Sequence, residues 1–277
     1  MARDNELNKL LENWDGEKIT IRPSAVDSFM TCPRQWAMTF LGGVRSIPGG
    51  RAAIGTSIHA AVEDEWKMAM ATGVKDFNVT SMKDRAEASL VEQDQEFDIK
   101  FDLGEDLSTA TMEAAKGVTT FAEDIVPFTP IPIAVEERYS IALANPVVER
   151  LSGTVDYISS DTIADVKTSK RKPVVASYNT QQTIYKILAE ENGRTVNHSL
   201  IQGVVLKARP EGHILELEPD VAKAKFAVNT ILDILEVFYS QKVRPDVLFR
   251  GNNKHYLCSD KYCAMYPTCP YVQGASK

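Results

Sequence analysis

The spacing of hydrophobic positions along the chain changes near residue 127. Before this point, apolar residues recur at helical spacing. After it, short runs rich in β-branched and aromatic residues indicate strands, and helical spacing returns in two later segments. The predicted helices are 24–41, 52–71, 80–98, 107–125, 178–191 and 220–239, and the predicted strands are 133–142, 147–158, 162–168, 199–207 and 214–218. This order predicts an α/β fold with a mixed central sheet flanked by helices, a helical N-terminal region and a cysteine-rich C-terminal tail.

Local signals mark the ends of two of these helices. Ser24 is a suitable N-cap for the first helix, and Pro33 predicts a break in it after Cys32, because proline lacks an N–H group and restricts the residue before it. Asn192 and Gly193 predict the end of the helix over 178–191, since both residues tolerate a left-handed backbone.

Two adjacent predicted strands carry the main candidate site. Side chains alternate between the faces of a strand, so Asp165 and Lys167 point the same way. The polar residues 159–161 favour a turn, and Asp156 reaches the same surface if the two strands pair as a hairpin. Two carboxylates suit Mg²⁺, and a metal beside a lysine suits phosphodiester hydrolysis. An exposed hairpin with an ordinary cluster of charges explains these residues equally well.

Further motifs lie on both sides of the hairpin. The segment 55–59 (GTSIH) has a G-x-x-x-H pattern, 165–167 (DVK) a D-x-K pattern, and 181–185 (QQTIY) a Q-x-x-x-Y pattern. With Asp156 and four cysteines, they resemble the RecB-like branch of the PD-(D/E)XK nuclease superfamily, and within it the iron–sulfur members. These are the CRISPR-associated adaptation nucleases, the AddB nuclease domain and phage exonucleases. The resemblance runs from about Ile21 to Tyr271 and implies a restriction-endonuclease-like core.

The resemblance also implies a role for each matched residue. The implied ligands of Mg²⁺ or Mn²⁺ are the side chains of His59, Asp156 and Asp165 and the backbone oxygen of Val166. An imidazole ligand shifts the preference toward Mn²⁺. Lys167 is the implied group that positions water, and Gln181 and Tyr185, which share one helix face, are implied to engage the DNA strand.

Three further acids lie near these positions. Glu63 follows His59 by one helical turn and is either close to the metal or merely exposed. Glu136 and Glu137 lie on the first strand of the core. In many of the resembling nucleases an acid there orients water or a second metal, whereas acids on edge strands are usually just solvated.

The four cysteines are Cys32 and, far downstream, Cys258, Cys263 and Cys269. Four thiolates suit a tetrahedral zinc ion or a 4Fe–4S cluster. Zinc sites usually hold their cysteines in closely spaced pairs, and the distant Cys32 fits that pattern poorly. Disulfides need an oxidising compartment, which no feature of the sequence indicates. The one-plus-three arrangement is that of the resembling iron–sulfur nucleases, although their first gap is usually shorter. Zinc and unligated thiols remain the alternatives, and a cluster would clasp the tail to the N-terminal helix.

Composition adds limits on partners and location. The 277 residues include 44% hydrophobic and 25% charged positions, with no apolar run long enough to cross a bilayer and a polar N-terminus. A cytoplasmic location, in a bacterium or a phage-infected host, is therefore expected. The net charge of −7 argues weakly against DNA as a partner. A nuclease contacts only a local strip of phosphates, however, and Lys170, Arg171 and Lys172 follow the second strand of the hairpin.

These observations predict a metal-dependent DNA exonuclease that acts on single strands or DNA ends in recombination, repair or phage DNA processing, with a helicase or recombinase as a partner. The alternative is a non-catalytic DNA-binding accessory protein. The complete set of Asp156, Asp165 and Lys167 argues against it. The predicted organisation is an N-terminal arm over 1–20 and one nuclease domain over 21–277. That domain comprises a helical part (21–130), a catalytic core (131–240) and an iron–sulfur tail (241–277) that closes onto Cys32.

Overall fold

The structure is a computed structural model that describes residue 9, residues 16–44 and residues 47–273. Two compact units form from interleaved segments of the chain. The first unit comprises the described residues of 1–46 with 140–153 and 220–277, and the second comprises those of 47–139 and 154–219. The arm expected over 1–20 lies mostly outside the described residues, and the single domain over 21–277 stays a prediction.

The described residues form six strands and nine α-helices. The strands are β1 (Ile19–Ile21), β2 (Ala134–Ala142), β3 (Val148–Ile158), β4 (Thr162–Ser169), β5 (His198–Val205) and β6 (Glu211–Glu216). The α-helices are α1 (Pro23–Thr31), α2 (Pro33–Trp36), α3 (Gly50–Thr72), α4 (Val79–Phe97), α5 (Leu107–Thr120), α6 (Asn179–Glu191), α7 (Val221–Ser240), α8 (Pro245–Leu248) and α9 (Pro270–Gln273). Turns of π-helix cover Ala37–Leu41 and Phe121–Ile125, and 3₁₀ turns cover Val126–Phe128, Val175–Ser177 and Tyr266–Thr268.

The fold class predicted from the pattern is confirmed, and most element ends agree within three residues. The first helix is the main difference. It begins at Pro23 with Arg22 as its N-cap, so the assignment of Ser24 as the cap was wrong. Proline is favoured at the first helical position, where its missing N–H group costs nothing. The predicted break is confirmed, because Cys32 is extended (φ −154°, ψ 94°) and Pro33 starts a new helix.

A mixed sheet organises the second unit. The predicted hairpin is confirmed: β3 and β4 are antiparallel, with Tyr157 opposite Ala164. β4 pairs in parallel with β5 along its whole length, and β5 is antiparallel to β6. Helices α3, α4 and α5 pack on one another, and α6 packs on β4 and β5. The mixed pairing follows from the connections, since a tight turn joins β3 to β4 whereas α6 links the parallel strands.

Aromatic rings fill the core of the second unit. The indole of Trp66, on α3, lies edge-on to Phe77 at a centroid distance of 4.7 Å and 5.3 Å from the ring of Tyr157 on β3. This contact fixes α3 to the strand that carries Asp156, so the core also positions the candidate site.

The first unit has its own aromatic core. β1 runs parallel to the start of β3, with Ile19 opposite Val148. Helix α1 packs on α7, and Trp36 contacts the rings of Phe29, Phe40 and Phe249. Among the residues that the structure describes, no helix has the length and apolar character needed to span a membrane.

Replacing Trp66 with alanine tests the role of this core. Trp66→Ala removes a fully buried side chain and is expected to lower the free energy of unfolding by about 3–5 kcal/mol. Met68→Ala, on the same helix at a side chain that is 61% exposed, is the matched control and should change it by less than about 0.5 kcal/mol. Urea titrations of the two variants and the parent measure both values, and equal losses would contradict the assignment of Trp66 to the core.

Candidate functional site

A close approach between α3 and β4 places the first site residue. A Cβ atom added at Gly55 would lie 2.7 Å from Thr168 Oγ1 on β4, closer than side chains tolerate. Without a side chain at Gly55, α3 lies against the end of this strand and Thr168 keeps its position. His59 follows one turn later on the same helix, and this packing carries its ring to the β3–β4 hairpin. This contact explains why a glycine precedes His59 by one helical turn in the sequence.

Hydrogen bonds then join the helix to the hairpin. His59 Nε2 lies 2.9 Å from Oδ2 of Asp156, and the same oxygen accepts a hydrogen bond of 2.9 Å from the backbone N–H of Val166. Lys167 Nζ lies 2.5 Å from Oδ2 of Asp165. The structure thus brings together all the predicted residues of the hairpin. The backbone oxygen of Val166 stays a predicted ligand.

Two neighbouring acids on β2 have different surroundings. Glu136 has a left-handed backbone (φ 53°), a conformation that is uncommon for glutamate and often marks functional sites. Its Oε1 lies 3.4 Å from His59 Nε2 and is buried without a hydrogen-bond partner in the described structure. Glu137 instead forms an ion pair of 2.8 Å with Arg194 and accepts a hydrogen bond from Tyr139. Only Glu136 therefore belongs to the candidate site.

His59, Glu136 and Asp156, but not Asp165 or Lys167, border a cavity that suits a divalent cation. Its space of about 190 Å³, partly open to solvent, is lined by His59, Glu63, Glu136, Asp156 and the apolar residues Val62, Trp66, Tyr157 and Val166. Ligand atoms of His59, Glu63 and Glu136 all lie within 4.8 Å of one another. Carboxylate oxygens with one imidazole nitrogen fit Mg²⁺ or Mn²⁺, and the unpartnered Oε1 of Glu136 is the kind of atom that a cation satisfies.

Burial and like charges shift the ionisation of the site. Burial raises the pKa of Asp165 to about 7, and the charge of Asp156 adds to this rise against the lowering effect of Lys167. Burial and the charge of Asp156 also raise the pKa of Glu136. Burial lowers the pKa of His59, but its hydrogen bond to Asp156 and the charges of the acids outweigh this and raise it to about 9. Both effects have one origin, an excess of carboxylates in a space with little water.

Helix α6 brings the next two predicted residues to the same region. Gln181 Nε2 donates a hydrogen bond of 3.3 Å to the hydroxyl of Tyr185, one turn further along. Burial raises the pKa of Tyr185 to about 12, and the charges of Asp165 and Asp156 act on its hydroxyl. Gln182 is buried and faces the interior. Of Gln181 and Tyr185, Gln181 therefore has the more accessible side chain.

The predicted DNA-binding residues follow directly after β4. Lys170, Arg171 and Lys172 are all exposed. Lys170 Nζ lies 3.7 Å from Glu105 Oε1, and this acid also binds Arg51 at 2.6 Å. Arg171 and Lys172 therefore lie outside the ion pairs that Glu105 forms.

The four cysteines meet in the first unit. All of them line a cavity with about 430 Å³ of space, partly open to solvent, together with residues of α2 and of the tail. The backbone N–H of Asn252 donates to the sulfur of Cys32 at 3.4 Å, and Cys263 and Cys269 are buried. Among the described residues, no three cysteine sulfurs lie within 4.8 Å of one another. The tail and the end of α1 thus hold four thiols around one space.

Comparison with known proteins identifies the class. Residues 20–270 match the PD-(D/E)XK nuclease superfamily, so the chain belongs to that superfamily. No curated protein matches it. The crystal structure of a putative exonuclease from Eubacterium rectale is similar, with a TM-score of 0.57, 13% identity and 86% of each chain covered. A solved structure named SSO0001 has a TM-score of 0.40 at 15% identity, with 98% of this chain and 96% of that chain covered.

The contact between Gly55 and Thr168 can be tested by a double substitution. Gly55→Ala is expected to lower the free energy of unfolding by about 1–3 kcal/mol, because its new methyl group overlaps Thr168 Oγ1. Adding Thr168→Ala removes that oxygen and should restore most of the loss. Urea titrations of both single variants and the double variant give the coupling energy. Additive losses would show that this contact does not fix α3.

Proposed function

We propose that this protein is a metal-dependent DNA exonuclease. The observation that carries the proposal is the gathering of Asp156, Asp165, Glu136 and His59 beside Lys167 at one end of the β3–β4 hairpin. Membership of the PD-(D/E)XK superfamily supports phosphodiester hydrolysis. Similarity to the putative exonuclease from Eubacterium rectale supports action at DNA ends.

The residues of the site divide into ligands and groups that act on the substrate. Asp156, Asp165 and His59 would hold Mg²⁺ or Mn²⁺, with Glu136 beside them. When bound, such a cation lowers the pKa of a coordinated water and offsets negative charge on the phosphate. Lys167, fixed by its ion pair with Asp165, orients the attacking water or donates to a phosphate oxygen.

The surroundings of Lys167 supply the contacts to DNA. Gln181 donates hydrogen bonds to the strand, and the hydroxyl of Tyr185 holds its amide in place. Arg171 and Lys172, exposed after β4, neutralise neighbouring phosphates, and Lys170 joins them when DNA competes with Glu105. This local strip of positive charge supports DNA binding in a chain whose net charge is −7.

We also propose a 4Fe–4S cluster at Cys32, Cys258, Cys263 and Cys269. The four cysteines line one cavity, as the ligands of a single group would. Their one-plus-three spacing along the chain supports an iron–sulfur cluster, and the N–H donated to Cys32 is a contact of the kind that tunes cluster sulfurs.

Loss of the central charges tests the catalytic proposal. Asp165→Asn and Lys167→Ala are each expected to lower the cleavage rate by at least about 100-fold, because each removes a group that binds the cation or stabilises the transition state. Chelation should stop the parent enzyme, and added Mg²⁺ or Mn²⁺ should restore it. End-labelled single- and double-stranded oligonucleotides report the rate, the preferred strand and the preferred ion.

The neighbouring acids of β2 provide the matched control. Glu137→Gln, at a side chain directed to Arg194, should leave the cleavage rate within about twofold of the parent. Cleavage at the parental rate by both Asp165→Asn and Lys167→Ala would overturn the proposal. DNA held in chelator but never cleaved with any divalent ion would instead favour the non-catalytic accessory protein.

Removal of one cysteine tests the cluster. Protein purified without oxygen is expected to be brown and to contain about four irons per chain, and Cys263→Ala should lose both the visible absorbance and most of the iron. Ser259→Ala, between two of the cysteines, should retain them. A colourless parent with one zinc per chain would contradict the cluster in favour of zinc.

Three expectations from the sequence stay predictions. They are the role in recombination, repair or phage DNA processing, the helicase or recombinase partner, and the cytoplasmic location.

A further inference from the structure

A group of exposed aromatic rings lies on the segment that carries two of the cysteines. Tyr256 is 75% exposed and Tyr262 is 47% exposed, although tyrosine usually buries most of its ring. Their ring centroids are 6.3 Å apart at an interplanar angle of 81°, and the ring of His255 lies 4.6 Å from that of Tyr256. These rings form a continuous aromatic surface open to solvent in the described structure.

Positive charges are interleaved with the rings. Lys261 Nζ lies 5.4 Å from the centre of the Tyr262 ring, within the range of a cation–π contact. Lys254, next to His255 in the chain, is exposed, and Asp260 is the one acid between residues 252 and 262. We call Lys254, His255, Tyr256, Lys261 and Tyr262 the tyrosine–lysine surface. Lys254 and Lys261 thus set positive charge beside the rings, which complements the phosphates of a polyanion.

The backbone holds this surface in a defined conformation. The N–H of Cys258 donates to the carbonyl of His255 and that of Cys263 to the carbonyl of Ser259, both at 2.9 Å. The N–H of Leu257 donates to Nδ1 of His255 at 3.3 Å, which fixes the imidazole. A backbone ordered in this way loses little further freedom when a ligand binds.

We propose that the tyrosine–lysine surface binds single-stranded DNA. Every base has a flat face that can stack on Tyr256 or Tyr262, while Lys254 and Lys261 neutralise the phosphates that follow. Paired bases in a duplex present their edges to a protein and cannot stack on these rings. The surface therefore selects single strands. This inference rests on the proposed function only in taking DNA as the substrate, and it uses none of the residues that would perform cleavage.

Binding in chelator tests the proposal without turnover. The probe is a fluorescein-labelled oligothymidylate of about 20 nucleotides, and anisotropy with the full-length protein, purified without oxygen, gives Kd. Tyr256→Ala and Tyr262→Ala should each raise Kd by about 5- to 150-fold, the range measured for loss of one stacked base. Tyr256→Phe and Tyr262→Phe keep the ring and should stay within about twofold. A duplex of the same length should respond to none of these changes.

Two controls separate a local effect from a loss of structure. Phe128→Ala removes a ring that is 77% exposed but lies in the second unit, and it should leave Kd unchanged. Unchanged visible absorbance and Tm in the tyrosine variants show that the cysteine segment is intact. Lys254→Ala with Lys261→Ala should reduce the salt dependence of binding by about two phosphate contacts.

The outcomes distinguish this surface from the nuclease assignment. Equal Kd values for the parent and both alanine variants would overturn the tyrosine–lysine surface even if the protein cleaves DNA. Equal losses in the alanine and phenylalanine variants would also overturn it, because stacking would not be the cause. Tyrosine-dependent binding in a protein that never cleaves DNA would support the surface and contradict the exonuclease.

Discussion

The burial of negative charge at the end of the β3–β4 hairpin is the constraint on which the site depends. Asp165 is only 3% exposed, and the carboxylates of Asp156 and Glu136 lie in the same region. Burying a carboxylate costs several kcal/mol unless it is paired. Lys167 and a protonated His59 supply two positive charges for three acids, so the set is incomplete on its own. A divalent cation that displaces the proton of His59 would, together with Lys167, supply three positive charges for the three acids.

Packing far from the acids maintains this charge arrangement. Gly55 lets α3 approach Thr168, and Trp66, two turns beyond His59 on the same helix, packs on Tyr157 of β3. The helix is thus held on both sides of the histidine, so the backbone that carries the ring cannot shift away from Asp156 without loosening the core. Fold stability and ligand geometry are consequently supported by the same contacts.

The sequence predicted the parts of the site that depend on local periodicity. Strand alternation placed Asp165 with Lys167, and helical spacing placed Gln181 with Tyr185. It did not separate Glu136 from Glu137, because the difference arises from a left-handed backbone at Glu136 and from the distant partner Arg194. Helical spacing placed Glu63 one turn from His59, but it could not show that Glu136, on a different segment, comes within ligand distance of both. Contacts between distant segments leave no local pattern.

Ligand chemistry separates the two candidate metal centres. The acids and His59 of the second unit offer hard oxygen donors and one nitrogen, whereas the first unit offers four soft sulfur donors. Hard cations such as Mg²⁺ therefore have no reason to occupy the thiols, and iron–sulfur chemistry has no ligands among the acids. Cys258 and Cys263 also flank the tyrosine–lysine surface, so the bonds that tie the tail to Cys32 would order its rings. A cluster without any redox role would then still affect function, by fixing the surface on which single-stranded DNA stacks.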